Sequence, residues 1–197
     1  GLKVAIPSTP YDTKGLLTAA IRDPDPVIFL EPKLIYRAFR GDVPEGSYEV
    51  PLGEAAVRRE GSDVSVYTYG AMTRPTMEAA ENLAEEGIDA EVIDLRTVSP
   101  LDEETIVDSF EKTGRGVVVH EAPESGGLAG EITATIQEEA LLYQEAPIAR
   151  VTGFDVPFPL HALEDYYMPE PARIADSIRH SVEFLQCSST NPPTAAG

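Results

Sequence analysis

Between Val64 and Thr152 one pattern recurs: a short run rich in apolar and β-branched residues, then a longer stretch with apolar residues at helical spacing. Short apolar runs bounded by turn residues mark strands buried on both faces, which occur in parallel sheets covered by helices. The pattern predicts strands at Val64–Tyr69, Ala90–Leu95, Gly116–His120 and Ile148–Thr152. It predicts helices at Thr73–Glu86 and Asp102–Lys112, stopped by Gly87 and Gly114, then at Ala129–Tyr143 and Pro171–Leu185. Such alternation makes an α/β fold, a mostly parallel sheet with helices on both faces joined by right-handed crossovers.

Upstream, Lys3–Ile6 is a strand candidate. Pro7-Ser8-Thr9-Pro10 breaks it and caps a helix over 11–22. Asp23-Pro24-Asp25-Pro26 ends that helix, because residues before proline avoid the α region, and Val27–Leu30 follows as a buried strand. Residues 32–50 hold Pro32, Gly41, Pro44 and Gly46 with few periodic apolar positions, the composition of a linker. Pro51–Arg58 is expected to be a strand running into the Gly61-Ser62 turn. Residues 186–197 are poor in apolar content and are expected to form a disordered tail.

Thirty-four acids against fifteen lysines and arginines give a net charge of −19 over 197 residues. That excess argues against nucleic acid and anionic membranes, which need positive patches. The acids are scattered rather than blocked, so they read as a hydrated surface of the halophilic kind, with an ordinary acidic protein as the other reading. No run approaches the ~20 apolar residues of a membrane-spanning helix, and no secretory signal is visible. The one cysteine, Cys187, excludes an internal disulfide and fits cytoplasmic residence. The opening on Gly1 instead of methionine reads as a trimmed or fragmentary chain.

The residues offer few constellations for chemistry. His120, His161 and His180 lie on different elements without ligand spacing, and no cysteine cluster joins them. His120, at a strand end beside Glu121, is either a general base or a packed structural residue. No G-x-G-x-x-G, G-x-x-x-x-G-K-[ST] or G-x-S-x-G occurs. The Gly126-Gly127-Leu128-Ala129-Gly130 run therefore reads as a close approach of the helix start to a strand or a neighbouring chain. Asp23 and Asp25, beside helix-end carbonyls, form either an oxygen-rich pocket for a hard cation or a plain helix stop. Gln144-Glu145-Ala146-Pro147 is a solvated acidic turn.

Four segments stand in a familiar order: Gly70-Ala71-Met72, Asp94-Leu95-Arg96-Thr97-Val98-Ser99-Pro100-Leu101-Asp102, Arg115–Ile132 with its His120-Glu121-Ala122-Pro123 core, and Val151–Pro159. Over residues 1–185 the chain resembles the transketolase-like β subunits of 2-oxoacid dehydrogenase E1 components, pyruvate or branched-chain type. The resemblance implies four parts. Residues 1–31 would be a remnant helix and strand of the thiamine pyrimidine-binding domain and 32–50 a linker. Residues 51–185 would be a transketolase C-terminal-like domain, followed by the tail at 186–197. Two alternatives stay open: a non-catalytic α/β interaction domain, and a piece of a transketolase or 1-deoxyxylulose-5-phosphate synthase relative. The segment 157–167, Pro-Phe-Pro through Glu164 to Tyr166-Tyr167, favours the E1 β type over transketolase.

The same resemblance implies thiamine diphosphate and magnesium in the full enzyme. Their binding residues lie upstream of this chain, so no catalytic or cofactor-binding residue is assigned here. It implies a monovalent cation, potassium, near Ala20, Ile21, Asp23 and Asp25. The implied partners are an E1 α subunit, a second β subunit in an α2β2 assembly, and the subunit-binding domain of the E2 acyltransferase, contacted by Glu145. On this reading the Gly127 region and the aromatic 153–170 segment would pair one β subunit with another.

Overall fold

Alternation along each buried strand decides which face of the sheet every side chain serves, and the computed structural model, which describes residues 1–159 and 161–189, follows it closely. Residues 161 and 185–189 are described by their backbone alone. In chain order the elements are β1 (Lys3–Ala5), α1 (Pro10–Arg22), β2 (Val27–Phe29), β3 (Ala56–Arg59) and β4 (Val64–Thr68). Then come α2 (Thr73–Glu85), β5 (Ala90–Asp94), β6 (Thr97–Ser99), α3 (Glu103–Thr113) and β7 (Gly116–Pro123). The last are α4 (Ala129–Glu139), β8 (Ala149–Gly153), α5 (Glu164–Tyr167) and α6 (Pro171–Ser189).

The main sheet has the order β3-β5-β4-β7-β8. Strands β5, β4, β7 and β8 are parallel, and β3 closes one edge antiparallel to β5. Val64, Val66, Val92, Val117, Val119 and Val151 face one side, where Ala79, Ala80 and Leu83 of α2 and Ile174 and Ile178 of α6 cover them. Tyr67, Ile93 and Val118 face the other, under Ile106 and Phe110 of α3 and Ile132 and Ile136 of α4. These large side chains are fully buried, each worth roughly 1.5–3 kcal/mol of burial. Helix stops follow local chemistry: Gly87 and Gly114 take φ of +88° and +66°, conformations that favour glycine. At the other end of α3, Asp102 accepts the Thr105 N–H at 3.0 Å as its N-cap.

A second, three-stranded sheet has the order β2-β1-β6. β1 runs parallel to β2 and antiparallel to β6, so a strand near the start is joined to one that follows β5.

Several expectations need correction. The strand expected over 51–58 begins only at Ala56 and runs to Arg59, because Pro51 and the positive-φ Gly53 interrupt pairing before it. β6 was not anticipated. β7 continues past His120 to Pro123. α4 stops at Glu139 and a separate 3-10 turn, Leu141–Tyr143, follows it. α6 runs to Ser189, so residues 186–189 of the expected tail are helical. Residues 190–197, and the side chain of Cys187, lie outside the described residues. The 32–50 segment holds one 3-10 turn, Lys33–Ile35, and no strand.

Candidate functional site

In a doubly wound sheet, ligands and partners gather where strands end at their carboxyl side and the connections diverge. Here that place lies at the ends of β4 and β7. The loop after β4 leads to α2 on one face, and the loop after β7 leads to α4 on the other.

The β4–β5 half of this edge is covered by the chain's own N-terminal segment. A Cβ on Gly70 would meet Ile6 Cγ2 at 2.8 Å and Pro32 Cγ at 3.3 Å, so both residues sit directly on the turn after β4. Ile6 N–H donates to the Arg96 carbonyl at 2.8 Å. Beneath lies a buried charge cluster. Arg58 of β3 bonds Asp94 Oδ2 at 2.7 Å and also Asp12 of α1, while Arg96 meets Asp12 Oδ1 at 2.8 Å. Ser8 Oγ donates to Asp94. Asp12 and Asp94 are fully buried. Burial pushes the Asp94 carboxyl up, and the Arg58 guanidinium and Ser8 hydroxyl oppose that shift.

The β7–β8 half is open. His120 is buried, with Nδ1 3.1 Å from the Ala122 carbonyl and Nε2 accepting the Ala129 N–H at 3.3 Å. Those partners assign the proton to Nδ1. The neutral ring thereby satisfies the first N–H of α4, whose N-cap residue Leu128 has no capping side chain. Gly127 packs against the same ring: a Cβ there would lie 2.7 Å from His120 Cε1 and 2.6 Å from the Pro123 carbonyl. The glycine therefore makes room for this chain's own strand end, one of the two close approaches its run left open. Ser125 ties the loop to the next one through Asp155, with N–H and Oγ bonds of 2.9 and 2.6 Å. Phe154 and Phe158 pack edge-on to Tyr167 at 6.2 and 4.9 Å. Phe154, Val156, Phe158, Leu163 and Tyr166 remain largely exposed. Desolvation, then the neighbouring Glu164, push the Glu121 carboxyl above its usual range.

With both nitrogens engaged and burial holding its pKa below the ordinary 6.5, His120 is a structural residue, not a base. The unfolded state then binds the extra proton, so this group's stabilisation is full above pH 6.5 and is lost as pH falls below it. The slope is at most about 1.4 kcal/mol per pH unit. Asp94 acts with the opposite sign, so the comparison must be with a variant. His120→Gln is expected to remove the His120 part of the acid-side decline. Urea midpoints of both proteins between pH 7.5 and 5 check this, and parallel curves would refute it.

Asp23 and Asp25 stand at the end of α1, and Lys3 lies between them. Its Nζ donates to both Asp23 oxygens at 2.8 Å and reaches Asp25 at 3.2 Å. These bonds, led by Lys3, hold the Asp23 carboxyl below its usual range. Ala20 loses its helical donor because residue 24 is proline, and the Asp25 N–H that Ile21 would receive goes to Asp23 Oδ1 at 2.9 Å. Two helix-end carbonyls are thus left without helical donors beside two carboxylates that share one lysine. Glu145 lies at the opposite, amino edge of the sheet. Its N–H bonds the Gly114 carbonyl at 2.8 Å and its half-exposed carboxylate pairs with Arg115 at 2.5 Å. Exposed Leu141, Leu142 and Tyr143 adjoin it. Among the described residues no three His, Cys, Asp or Glu side chains converge as metal ligands. No described helix is long and apolar enough to cross a membrane.

Sequence reasoning missed Asp12, Arg58 and Arg96. Their one local signal was Asp94, an acid closing the fully buried strand Ala90–Asp94.

The family model for the transketolase C-terminal domain matches residues 53–174, the five-stranded sheet with most of its helices. The chain belongs to the transketolase C-terminal domain family. The model for the transketolase pyrimidine binding domain matches residues 1–38, the segment that covers the β4–β5 edge. The chain is 51% identical over 184 residues to the pyruvate dehydrogenase E1 component subunit beta of Bacillus subtilis, 93% of this chain and 57% of that one. It is 53% identical over 186 residues to the mitochondrial 2-oxoisovalerate dehydrogenase subunit beta of Dictyostelium discoideum, 93% of this chain and 50% of that one. A solved split-gene transketolase, an inactive beta4 tetramer, superposes with a TM-score of 0.70 at 26% identity, covering 92% of this chain and 57% of that one. This member of the family thus spans about half the length of the curated relatives it matches.

Proposed function

We propose that this chain is the C-terminal part of the β subunit of a thiamine-dependent 2-oxoacid dehydrogenase E1 component. Its parent enzyme would decarboxylate pyruvate or a branched-chain 2-oxoacid and acylate the lipoyl group of E2. The observation that carries this reading is the order of the two family matches, 1–38 then 53–174, together with about half identity to E1 β relatives across nearly the whole chain. The two relatives differ in substrate but hardly in identity, so both substrate classes stand. The 26% identity to a transketolase makes that alternative the weaker one. Residues 1–31 would be the end of the pyrimidine-binding domain, 32–50 its linker and 51–189 the C-terminal domain.

Thiamine diphosphate and magnesium would serve the full enzyme, but the residues present do not fit them. A groove on residues 7–43, about 510 Å³, is lined mainly by proline, leucine, isoleucine and aromatic side chains. Its charged groups are Lys14 and Glu31, and the Tyr36 hydroxyl already donates to the Glu31 carboxylate. That is no cradle for a diphosphate and a divalent ion. Calorimetry of the chain with thiamine diphosphate and magnesium is expected to show no binding; micromolar affinity would overturn the assignment of residues 1–31. A potassium ion at Ala20, Ile21, Asp23 and Asp25 fits through the two carbonyls, since Lys3 already occupies the space between the carboxylates.

This domain's own work would be assembly in an α2β2 enzyme and docking of E2. Exposed Leu142 beside the half-exposed Glu145 supports the docking part, because an apolar step with an acidic neighbour suits a basic binding domain. Titration with an E2 subunit-binding domain tests it: Glu145→Lys is expected to weaken binding at least tenfold, and unchanged affinity would refute that contact. Cytoplasmic residence and a halophilic source complete the reading. The charge of −19 then makes folding salt-dependent. The thermal midpoint should rise by several degrees between 0.1 and 2 M potassium chloride as self-repulsion is screened; a flat response in a thermal melt favours an ordinary acidic protein.

A further inference from the structure

The two apolar clusters of the main sheet draw their buried members from residues 64–178, with none from residues 1–31. What joins that segment to the sheet is of another kind. It comprises the short β1–β6 pairing, the contact of Ile6 with Gly70, and the cluster of Ser8, Asp12, Arg58, Asp94 and Arg96. The cluster is also incompletely satisfied. Arg96 Nε and the hydroxyl of Thr68, which pairs in register with Asp94, are buried without a hydrogen bond, and Asp12 Oδ1 has only its ion pair with Arg96. Arg96 meets Asp12 at a left-handed φ of +58°, unusual for a residue other than glycine. A core is apolar and fully paired; this seam is charged, underpaired and locally strained. Seams with these properties open before the elements they join.

We propose that the Asp12–Arg58–Asp94–Arg96 cluster is a latch, a separable polar joint that holds β1, α1 and β2 on the carboxyl edge of the sheet and lets them detach as one unit. Two arginines balance two buried carboxylates, so the closed latch is neutral. Removing one arginine leaves a carboxylate buried without its partner, and the cheapest relief is to open the seam and hydrate it. The two apolar clusters lose no buried member by that opening, since none comes from the segment. The latch does not depend on the enzyme reading, because it concerns only how two parts of this chain are joined.

Hydrogen exchange of the 197-residue chain at fixed high salt tests it. In Arg58→Met the amides of residues 14–22 and 27–29 are expected to exchange at least tenfold faster than in wild type. Those of 64–68 and 116–120 should stay within twofold. Equal acceleration in both regions would make the segment part of one cooperative core and would overturn the latch. So would unchanged exchange in α1. If Arg58→Met does not fold, Asp94→Asn, which keeps the shape and removes one buried charge, is read the same way. Global unfolding of both variants would likewise overturn the proposal.

Discussion

Gly127→Trp is expected to unfold the turn between β7 and α4 within a single chain and to cost about 3–5 kcal/mol of stability. Even one carbon at this position would stand 2.6 Å from the Pro123 carbonyl and 2.7 and 2.9 Å from two atoms of the His120 ring. Neither neighbour can yield cheaply. The carbonyl belongs to the end of β7, and the imidazole is fully buried and fixed by the Ala122 carbonyl and the Ala129 N–H. An indole would evict the ring, uncap α4 and expose Ala129 and Ile132, which lie in the core beneath that helix. Gly127→Ala, with the same first clash and no further bulk, should lose roughly 1–3 kcal/mol. Urea denaturation at constant potassium chloride measures both. A wild-type midpoint for the tryptophan variant, accompanied by altered sedimentation, would return the glycine to a contact between chains.

His120 and Gly127 show what a sequence can and cannot display. The β-branched run before His120 is legible because a strand buried on both faces has no polar position to spare. The glycine pair is legible as a close approach. Which partner approaches is decided by the way the loop folds back, and no residue spacing encodes that distance. The same division separates β7 from β6. β7 carries its own signal in Val117-Val118-Val119, whereas β6 is three residues long and exists because β1, more than ninety positions earlier, pairs with it.

The charge cluster was harder still to foresee. Asp12 lies in the first turn of a capped helix, where acids are common, and Thr9 accepts its N–H at 3.1 Å as a cap should. Arg58 and Arg59 are adjacent at a strand end, yet Arg58 turns inward to Asp94 while Arg59 bonds Asp89 at 2.9 Å. Their joint role appears only when α1, β3 and β5 meet. The Asp-Pro-Asp-Pro helix stop was local and therefore legible, but Lys3, which pairs with both acids, comes from β1. Leu17, Ile21, Leu34 and Tyr36, within the stretch that the pyrimidine binding domain model matches, leave apolar surface exposed.

Phe110→Ala should be among the most destabilising single truncations in the main domain, at about 4–5 kcal/mol, the upper part of the range for buried aromatics. The ring is fully buried under α3, in the cluster with Ile106, Ile132 and Ile136. It lies over Gly116 at the start of β7, where a Cβ would come within 3.2 Å of it. That geometry decides the size of the loss. A hole left by a truncated side chain shrinks when neighbours lean in, but Gly116 has no side chain to move, and its backbone is fixed by pairing with Ser65. Ile148, the next neighbour at 3.6 Å from the same point, is partly buried against the same cluster. With one wall of the hole made of paired backbone, most of the cost is expected to remain. Leu83→Ala, on the opposite face among larger movable neighbours such as Ile178 and Met77, should lose less, about 2–4 kcal/mol. Denaturant midpoints with unchanged slopes would measure both losses at one salt concentration. If the phenylalanine variant lost less than the leucine variant, the hole over Gly116 must be refilled by a shift of α3, and the sheet's two faces would differ in stiffness in the opposite sense.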